Sequence, residues 1–407
     1  MTTSLTVLRD RNAGLYLTAV VVSGFGTSSL WLASGVWVKD LTGSDGLAAL
    51  CMLAMWAPAL AGPALGTLAD RFPRKPLLIT LDLGLAALLP TLFAVGSPGR
   101  LWLLFAVLLV YGAAGVVHDA AESALVTAAV GPDLRGDFNG LRMTVAEGMK
   151  LVAPLTGAGL YTAFGGPAVA CLDAVSFVLA AGVCALLRVR EERPVRCGAG
   201  WWRETAEGVR HLWGHPGLRP LVGAGGTTML LTALSATTVY AVVDRLGHSP
   251  AYTGVLYAAQ GAGSVAAGLL AGPALRRLGG RRFAAAGIAL TGAAVAARAV
   301  PWDPAALASA AAGGLGLPCV LIAALTAVQR ETPGPLLGRA TATANTLMLT
   351  PNVLGLAVGA GLVEVAGPGL LLPLYGLALL GTAALLPQRD DSAARTAARS
   401  PSDANPA

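Results

Sequence analysis

Long apolar segments separated by short polar connections dominate this sequence of 407 residues. A helix needs about 20 apolar residues to cross a hydrocarbon core about 30 Å thick, and twelve segments approach or exceed that length. The chain is 55% hydrophobic and only 12% charged, whereas soluble proteins carry about 25% charged residues, so a soluble enzyme is excluded. The sequence therefore predicts an all-α membrane protein with twelve transmembrane helices. They run approximately over residues 15–36, 47–68, 76–95, 101–125, 141–163, 167–187, 220–242, 252–274, 283–299, 305–327, 340–363 and 368–386.

The basic residues indicate how the chain is oriented in the membrane. Most of the 28 Lys and Arg residues fall in every second connection, beginning with the N-terminal segment. Cytoplasmic connections are enriched in Lys and Arg, so both termini are expected in the cytoplasm. We expect the protein to lie in the plasma membrane. The net charge of +6 is then a signal of topology, and no nucleic-acid partner is expected.

The connection between the second and third segments carries an acid and three bases within ten residues. Gly66 allows two helices to approach closely, Asp70 is an anion at the last turn of a segment, and Arg71, Arg74 and Lys75 form a basic cluster. This loop resembles the signature loop of the major facilitator superfamily of secondary transporters. The resemblance implies that these five residues form a gating motif.

In that family the loop's acid meets the positively charged N-terminal end of a helix in the other half of the protein, which latches one face shut. By resemblance, Asp70 would make this contact. Pro73 stands where the family usually has glycine, and proline also favours a tight turn. The geometry of the loop is therefore expected to survive.

The two halves of the chain resemble copies of each other. Residues 272–282 lie between the eighth and ninth segments, where the loop would recur, but Arg276 replaces the acid. Transporters of this kind use two six-helix bundles related by a pseudo-twofold axis, with the substrate between them. The expected parts are a cytoplasmic N-terminus (1–11), a first six-helix bundle (12–187), a cytoplasmic amphipathic linker (188–217), a second six-helix bundle (218–386) and a disordered cytoplasmic tail (387–407).

Two shorter stretches favour an exporter. Residues 207–221, which begin in the linker, and residues 173–177 of the sixth segment look like the exporter branch that includes the enterobactin exporter. In the fifth segment, small residues and a proline partially match the motif of drug and proton antiporters. Ordinary small-residue packing is the alternative for this stretch. The four residues of the partial match are Gly148, Pro154, Gly157 and Gly159.

Ionisable side chains inside the segments are costly in lipid and are functional candidates by default. Glu147 and Lys150 lie three residues apart on one face of the fifth segment. They could neutralise each other, or protonation of Glu147 could free Lys150 for an acidic substrate.

Acidic residues and a histidine also lie in the inner halves of the third and fourth segments. His118, Asp119 and Glu122 are expected near the basic loop, where ion pairs would extend the latch. Asp82 could be a proton site or a partner of the same bases. The five cysteines have no metal-binding or redox spacing, so neither a metal nor another cofactor is expected.

These features predict a monomeric, proton-coupled exporter of a small amphiphilic organic compound, with Glu147, Asp82 or Asp119 as the titrating group. An importer or lipid flippase on the same fold is one alternative. A membrane-embedded enzyme or sensor is another, although the four histidines and five cysteines form no recognisable nucleophile or metal constellation.

Overall fold

A computed structural model describes residues 10–62, 65, 72–129, 135–188, 209–332 and 334–386 of the chain. These residues are almost entirely helical, and no strand occurs among them. Two helices continue as 3₁₀ turns: the helix Asp45–Trp56 continues to Ala61, and the helix Arg74–Leu88 continues to Ala94. The helices are α1 (Arg11–Thr42), α2 (Asp45–Trp56), α3 (Arg74–Leu88), α4 (Leu101–Ala129), α5 (Arg135–Phe164), α6 (Gly166–Ala185), α7 (Leu218–Ala236), α8 (Val239–Arg245), α9 (Thr253–Leu278), α10 (Gly280–Ala297), α11 (Asp303–Glu331), α12 (Gly334–Val365) and α13 (Pro368–Leu385).

The helices identify a multi-pass membrane protein. Within the described ranges, eight helical stretches are long and apolar enough to cross a membrane. The helices α7 and α8 meet at an angle of 42°, and if they form one span it is the ninth such stretch. The helix α2, with its 3₁₀ extension, is a shorter apolar helix.

Local sequence signals define the sharp connection between α1 and α2. The helix α1 begins at the cap Asp10, whose side chain accepts a hydrogen bond from the Ala13 amide, and it ends at Gly43 with φ of 72°. Glycine adopts this left-handed conformation without steric cost. Ser44 follows at once and caps α2 by accepting a hydrogen bond from the Leu47 amide. The connection is thus only two residues long, which holds the ends of α1 and α2 together.

Apolar cores form on either side of a seam between residues 10–188 and residues 209–386, here called the first and second halves. One core draws only on the second half, from Leu212 to Leu386. The largest core of the first half also includes Tyr240 and Leu256, which come from α8 and α9 of the second half. The two halves therefore share buried apolar surface in part of the molecule.

Candidate functional site

Polar contacts join the two halves at one end of the molecule, where α1 meets α2 and α8 approaches α9; we call it the closed end. The Lys39 ammonium lies 2.7 Å from a carboxylate oxygen of Asp45 and 2.7 Å from one of Asp244. Asp45 belongs to the same half as Lys39, whereas Asp244 belongs to the other. The Lys39 side chain is 9% exposed and that of Asp244 is 46% exposed. An ion pair exposed to this extent contributes about 1 kcal/mol or less, so it can form and break as the halves move.

A second polar contact between the halves is centred on Glu364 of α12. One of its carboxylate oxygens accepts hydrogen bonds from the Ser44 hydroxyl at 2.5 Å and from the Gly46 amide at 2.7 Å. Glu364 is exposed, and solvent screens its charge, so these hydrogen bonds contribute about 1 kcal/mol each. Glu364 therefore binds the first turn of α2 and holds it against α12.

Close backbone packing accompanies these polar contacts. A Cβ atom added at Gly46 would lie 2.5 Å from the Ala360 carbonyl oxygen, and one added at Gly35 would collide with the hydroxyl of Tyr240. At Gly254 of α9 an added Cβ would lie 3.0 Å from the Cβ of Ala158 on α5. Small residues that let helices approach closely are how membrane helices associate. The seams α2–α12 and α5–α9 are thus both tightly closed at this end.

A buried polar network occupies the core of the first half. The Tyr111 hydroxyl lies 2.9 Å from Asp173 and 2.8 Å from the Thr27 hydroxyl, and Ser176 lies 3.2 Å from the other Asp173 oxygen. A phenol has one hydrogen to donate, so Tyr111 donates to Asp173 and accepts from Thr27. Asp173 is fully buried. The network joins α1, α4 and α6 inside one half and does not cross the seam.

Tyr111→Phe is expected to destabilise the protein by about 1–3 kcal/mol, because it removes a donor from a buried carboxylate. The measurement is the apparent melting temperature in detergent, where each kcal/mol corresponds to about 2–4 °C in a unit of this size. Tyr375→Phe is the matched control, since the buried Tyr375 hydroxyl has no hydrogen-bond partner among the described residues. Equal melting temperatures for the two variants would contradict the structural role of the network.

At the opposite end, bases bind carbonyl groups at the end of α6. The Lys75 ammonium donates to the carbonyls of Ala185 and Leu187 at 2.8 and 2.7 Å, and Arg11 donates to that of Leu186 at 3.1 Å. Cations stabilise a helix C-terminus, where the carbonyls carry partial negative charge. These contacts fasten α1 and α3 to α6 within the first half.

Nearby, α3 and α4 bring together three of the residues expected from the sequence. Asp82 is 1% exposed, and its Oδ1 lies 3.4 Å from Nε2 of His118. The other ring nitrogen of His118 lies 3.8 Å from Oε2 of Glu122, one helical turn along α4. Asp119 is exposed on the same helix. This cluster lies within the first half, away from the closed end.

Other predicted residues are less fully described. Gly66, Asp70 and Arg71 of the gating motif lie outside the described residues. Glu147 and Lys150 lie on α5, in a stretch whose side chains the structure does not describe.

In the antiporter-like motif, an added Cβ at Gly157 would meet the Ser29 backbone, whereas Gly148 and Gly159 have open space. The carbonyl of Pro154 lies against Gly254, at the seam between the halves. Of the four positions, Gly157 and Pro154 therefore pack closely against neighbouring helices.

Sequence reasoning missed the charged residues of the closed end and the role of Asp173. Asp173 had a signal, because it is the one ionisable residue in an apolar run of 21 residues from 167 to 187. No sequence signal indicated the pairs Lys39–Asp244 and Ser44–Glu364, since each pair joins residues more than 200 positions apart in the chain.

The helical membrane fold has two halves that are closed on each other at one end. A family model described as Major Facilitator Superfamily matches residues 16–248, more than half of the chain. The chain belongs to this superfamily, so it is a transporter rather than an enzyme, and the family expected from the loop is confirmed.

Curated proteins similar to this chain include two macrolide efflux proteins. Macrolide efflux protein A of Streptococcus pyogenes is 25% identical over 257 residues, which cover 62% of this chain and 64% of that protein. Macrolide efflux protein A of Enterococcus faecalis is 24% identical over 235 residues, or 56% of this chain and 73% of that protein. The chain thus spans just under two thirds of the length of the streptococcal relative that it matches.

Solved structures share the fold. A bacterial homologue of the human lysosomal transporter Spinster, in an inward-facing and unoccupied conformation, has a TM-score of 0.66 and 16% identity and covers 93% of this chain and 95% of its own. A bacterial homologue of the iron transporter ferroportin, in an inward-facing state, has a TM-score of 0.67 and 15% identity, with coverages of 92% and 99%. At these identities the likeness shows the fold alone.

Proposed function

We propose that the protein is a proton-coupled exporter of small amphiphilic compounds and that macrolides are the first substrates to test. The observation that carries the proposal is the match to macrolide efflux proteins within a family of transporters. A macrolide combines a large apolar ring with polar sugars, which suits entry from the cytoplasm or the inner leaflet. The proposed layout has twelve spans in two six-helix bundles, and the protein acts as a monomer in the plasma membrane.

The distribution of charge supports an orientation. Arg11, Lys75 and Arg188 lie at the end opposite the closed end, as do Arg281 and Arg282 in the first turn of α10. Cytoplasmic connections carry such excess positive charge. In our proposal, the opposite end and both termini face the cytoplasm, and the closed end faces outward.

The closed end then suggests how export proceeds. With the outer seams α2–α12 and α5–α9 packed, the binding region between the halves is reached from the cytoplasm. Export requires these seams to separate, which breaks the contacts of Lys39 with Asp244 and of Glu364 with Ser44 and Gly46. Asp70 and the rest of the gating motif would latch the cytoplasmic end in the other state.

We assign proton coupling to Glu147, because α5 lies at the seam between the halves. Pro154 of α5 contacts Gly254 of α9, and Glu147 precedes Pro154 by seven residues, about 10 Å along the helix. Protonation of Glu147 removes a charge from α5 within the membrane. It therefore changes the free energy of placing this part of α5 in a medium of low dielectric constant. Protonation there can thus favour one arrangement of the halves over the other.

Export is tested by accumulation of radiolabelled erythromycin in a susceptible, pump-deficient host. Cells that express the chain are expected to hold several-fold less drug than cells with an empty vector, and an uncoupler should abolish the difference. Glu147→Gln is expected to match the empty vector because it cannot release a proton.

Glu331→Gln is the control for Glu147→Gln, since Glu331 is partly exposed and pairs with His215 at the opposite end. Equal accumulation in expressing and empty cells, with the protein correctly inserted, would contradict macrolide export. Raised accumulation on expression would instead indicate an importer or flippase.

A further inference from the structure

The cluster on α4 has the composition and spacing of a metal site. His118 and Glu122 are one helical turn apart, and Asp119 lies beside His118. One ligand atom from each of the three residues can be chosen so that all lie within 4.8 Å of one another. Two ligands about 2.1 Å from a tetrahedral zinc ion are about 3.4 Å apart. The 3.8 Å between Nδ1 of His118 and Oε2 of Glu122 is therefore close to what an ion requires.

Asp82 provides an independent observation that points to the same ligand. Its side chain is 1% exposed, and neither carboxylate oxygen accepts a hydrogen bond from any described residue. Oδ1 of Asp82 faces Nε2 of His118 at 3.4 Å. Histidines that bind metals commonly donate their other ring N–H to a carboxylate, which fixes the ring and the tautomer. Asp82 is placed to do this for His118 and leaves Nδ1 directed toward Glu122.

The donor atoms suit a transition-metal ion. Asp82, Asp119 and Glu122 gather three carboxylates around one imidazole. Imidazole nitrogens and carboxylate oxygens both bind divalent transition metals. Asp119 is exposed and the His118 side chain is 24% exposed, whereas Asp82 and Glu122 are buried.

We propose that His118, Asp119 and Glu122 bind a divalent transition-metal ion, with Asp82 as the carboxylate that orients His118. The single imidazole among carboxylates suits Zn²⁺ or Mn²⁺ rather than Mg²⁺, which prefers oxygen ligands in a nearly ideal octahedron. In the proposed orientation the site lies in the cytoplasmic half of the first bundle, so the ion enters from the cytoplasm. This proposal departs from our expectation, based on the sequence, that the protein binds no metal, and it is independent of the transported substrate.

The test is equilibrium dialysis of the purified, full-length protein against Zn²⁺, with a tag that contains no histidine. The wild type is expected to bind one ion per chain, and His118→Ala should lose it. Asp82→Asn keeps the three ligands but replaces the carboxylate that faces His118 with an amide, which is a weaker hydrogen-bond acceptor. The Zn²⁺ affinity of this variant should therefore fall about 10- to 100-fold. A tenfold excess of Mg²⁺ should leave Zn²⁺ binding unchanged.

His211→Ala is the matched control, because His211 lies near Thr332 in the other half and should not affect binding. Gel filtration and helical content verify that each variant is folded before dialysis. Equal Zn²⁺ binding by the wild type and His118→Ala would overturn the proposal, as would an unchanged affinity in Asp82→Asn. Because no macrolide is involved, these outcomes are separate from the test of export.

Discussion

Gly46→Val is expected to drive the protein from the described state toward one in which the closed end is open. A Cβ at this position would lie 2.5 Å from the Ala360 carbonyl oxygen and 2.8 Å from two Glu364 side-chain atoms. The carbonyl belongs to a helix backbone and cannot rotate away as a flexible side chain can. Overpacking of this kind costs about 1–3 kcal/mol. Since the clash exists only while α2 and α12 are packed, the equilibrium should shift about 5- to 150-fold toward the open arrangement.

Spin labels at Ser97 and Gly367 report this shift as a distance across the closed end, because both residues are exposed there and belong to opposite halves. In a background without native cysteines, Gly46→Val should lengthen the principal distance between the labels. Gly361→Val is the matched control on α12, since an added Cβ at Gly361 has nothing within 4 Å. A distance distribution for Gly46→Val that equals that of the control would show that the seam does not separate.

Joining Ala158 and Gly254 by a disulfide is expected to abolish export. A Cβ at Gly254 would lie 3.0 Å from that of Ala158, slightly less than the 3.5–4.5 Å typical of a disulfide, so a small backbone movement suffices. The bond would join α5 to α9 at the seam that has to open during transport. Thermal motion cannot separate α5 from α9 while the disulfide is intact, because a covalent bond would have to break.

Export is therefore measured for Ala158→Cys/Gly254→Cys before and after oxidation, and again after a reducing agent is added. We expect macrolide efflux in the reduced protein, none after oxidation, and recovery after reduction. The single variants Ala158→Cys and Gly254→Cys should be insensitive to oxidant. Undiminished efflux after complete cross-linking would mean that the α5–α9 seam stays shut during transport.

Several of the apolar segments predicted helices closely, because lipid imposes one simple requirement, that of length and hydrophobicity. The predicted extent 101–125 compares with α4 at Leu101–Ala129, and 368–386 with α13 at Pro368–Leu385. The bend between α7 and α8 was not predicted. It has no proline at the break. There the hydroxyls of Thr237 and Thr238 donate hydrogen bonds to the carbonyls of Leu234 and Ser235, and such bonds compete with the hydrogen bonds of the helix.

The candidate sites were predictable only within single helices. Helical periodicity places His118 and Glu122 on one face of α4, so their proximity could be read from the sequence. That Asp82 of α3 faces the same histidine depends on which helices are neighbours and on their rotation. The contacts of Lys39 with Asp244 and of Glu364 with Ser44 also depend on which state of the transport cycle the chain adopts.

Transport by the purified protein in liposomes tests the central claim most directly. The liposomes have an acidic lumen, and the cytoplasmic end of the protein faces outward. Radiolabelled erythromycin should then accumulate in the lumen to a higher level than in protein-free liposomes. The comparison with protein-free liposomes corrects for the passive trapping of a weak base. A protonophore should remove this excess, and the oxidised Ala158→Cys/Gly254→Cys protein should show none. Accumulation equal to that of protein-free liposomes would contradict proton-coupled macrolide export by alternating opening of the two halves.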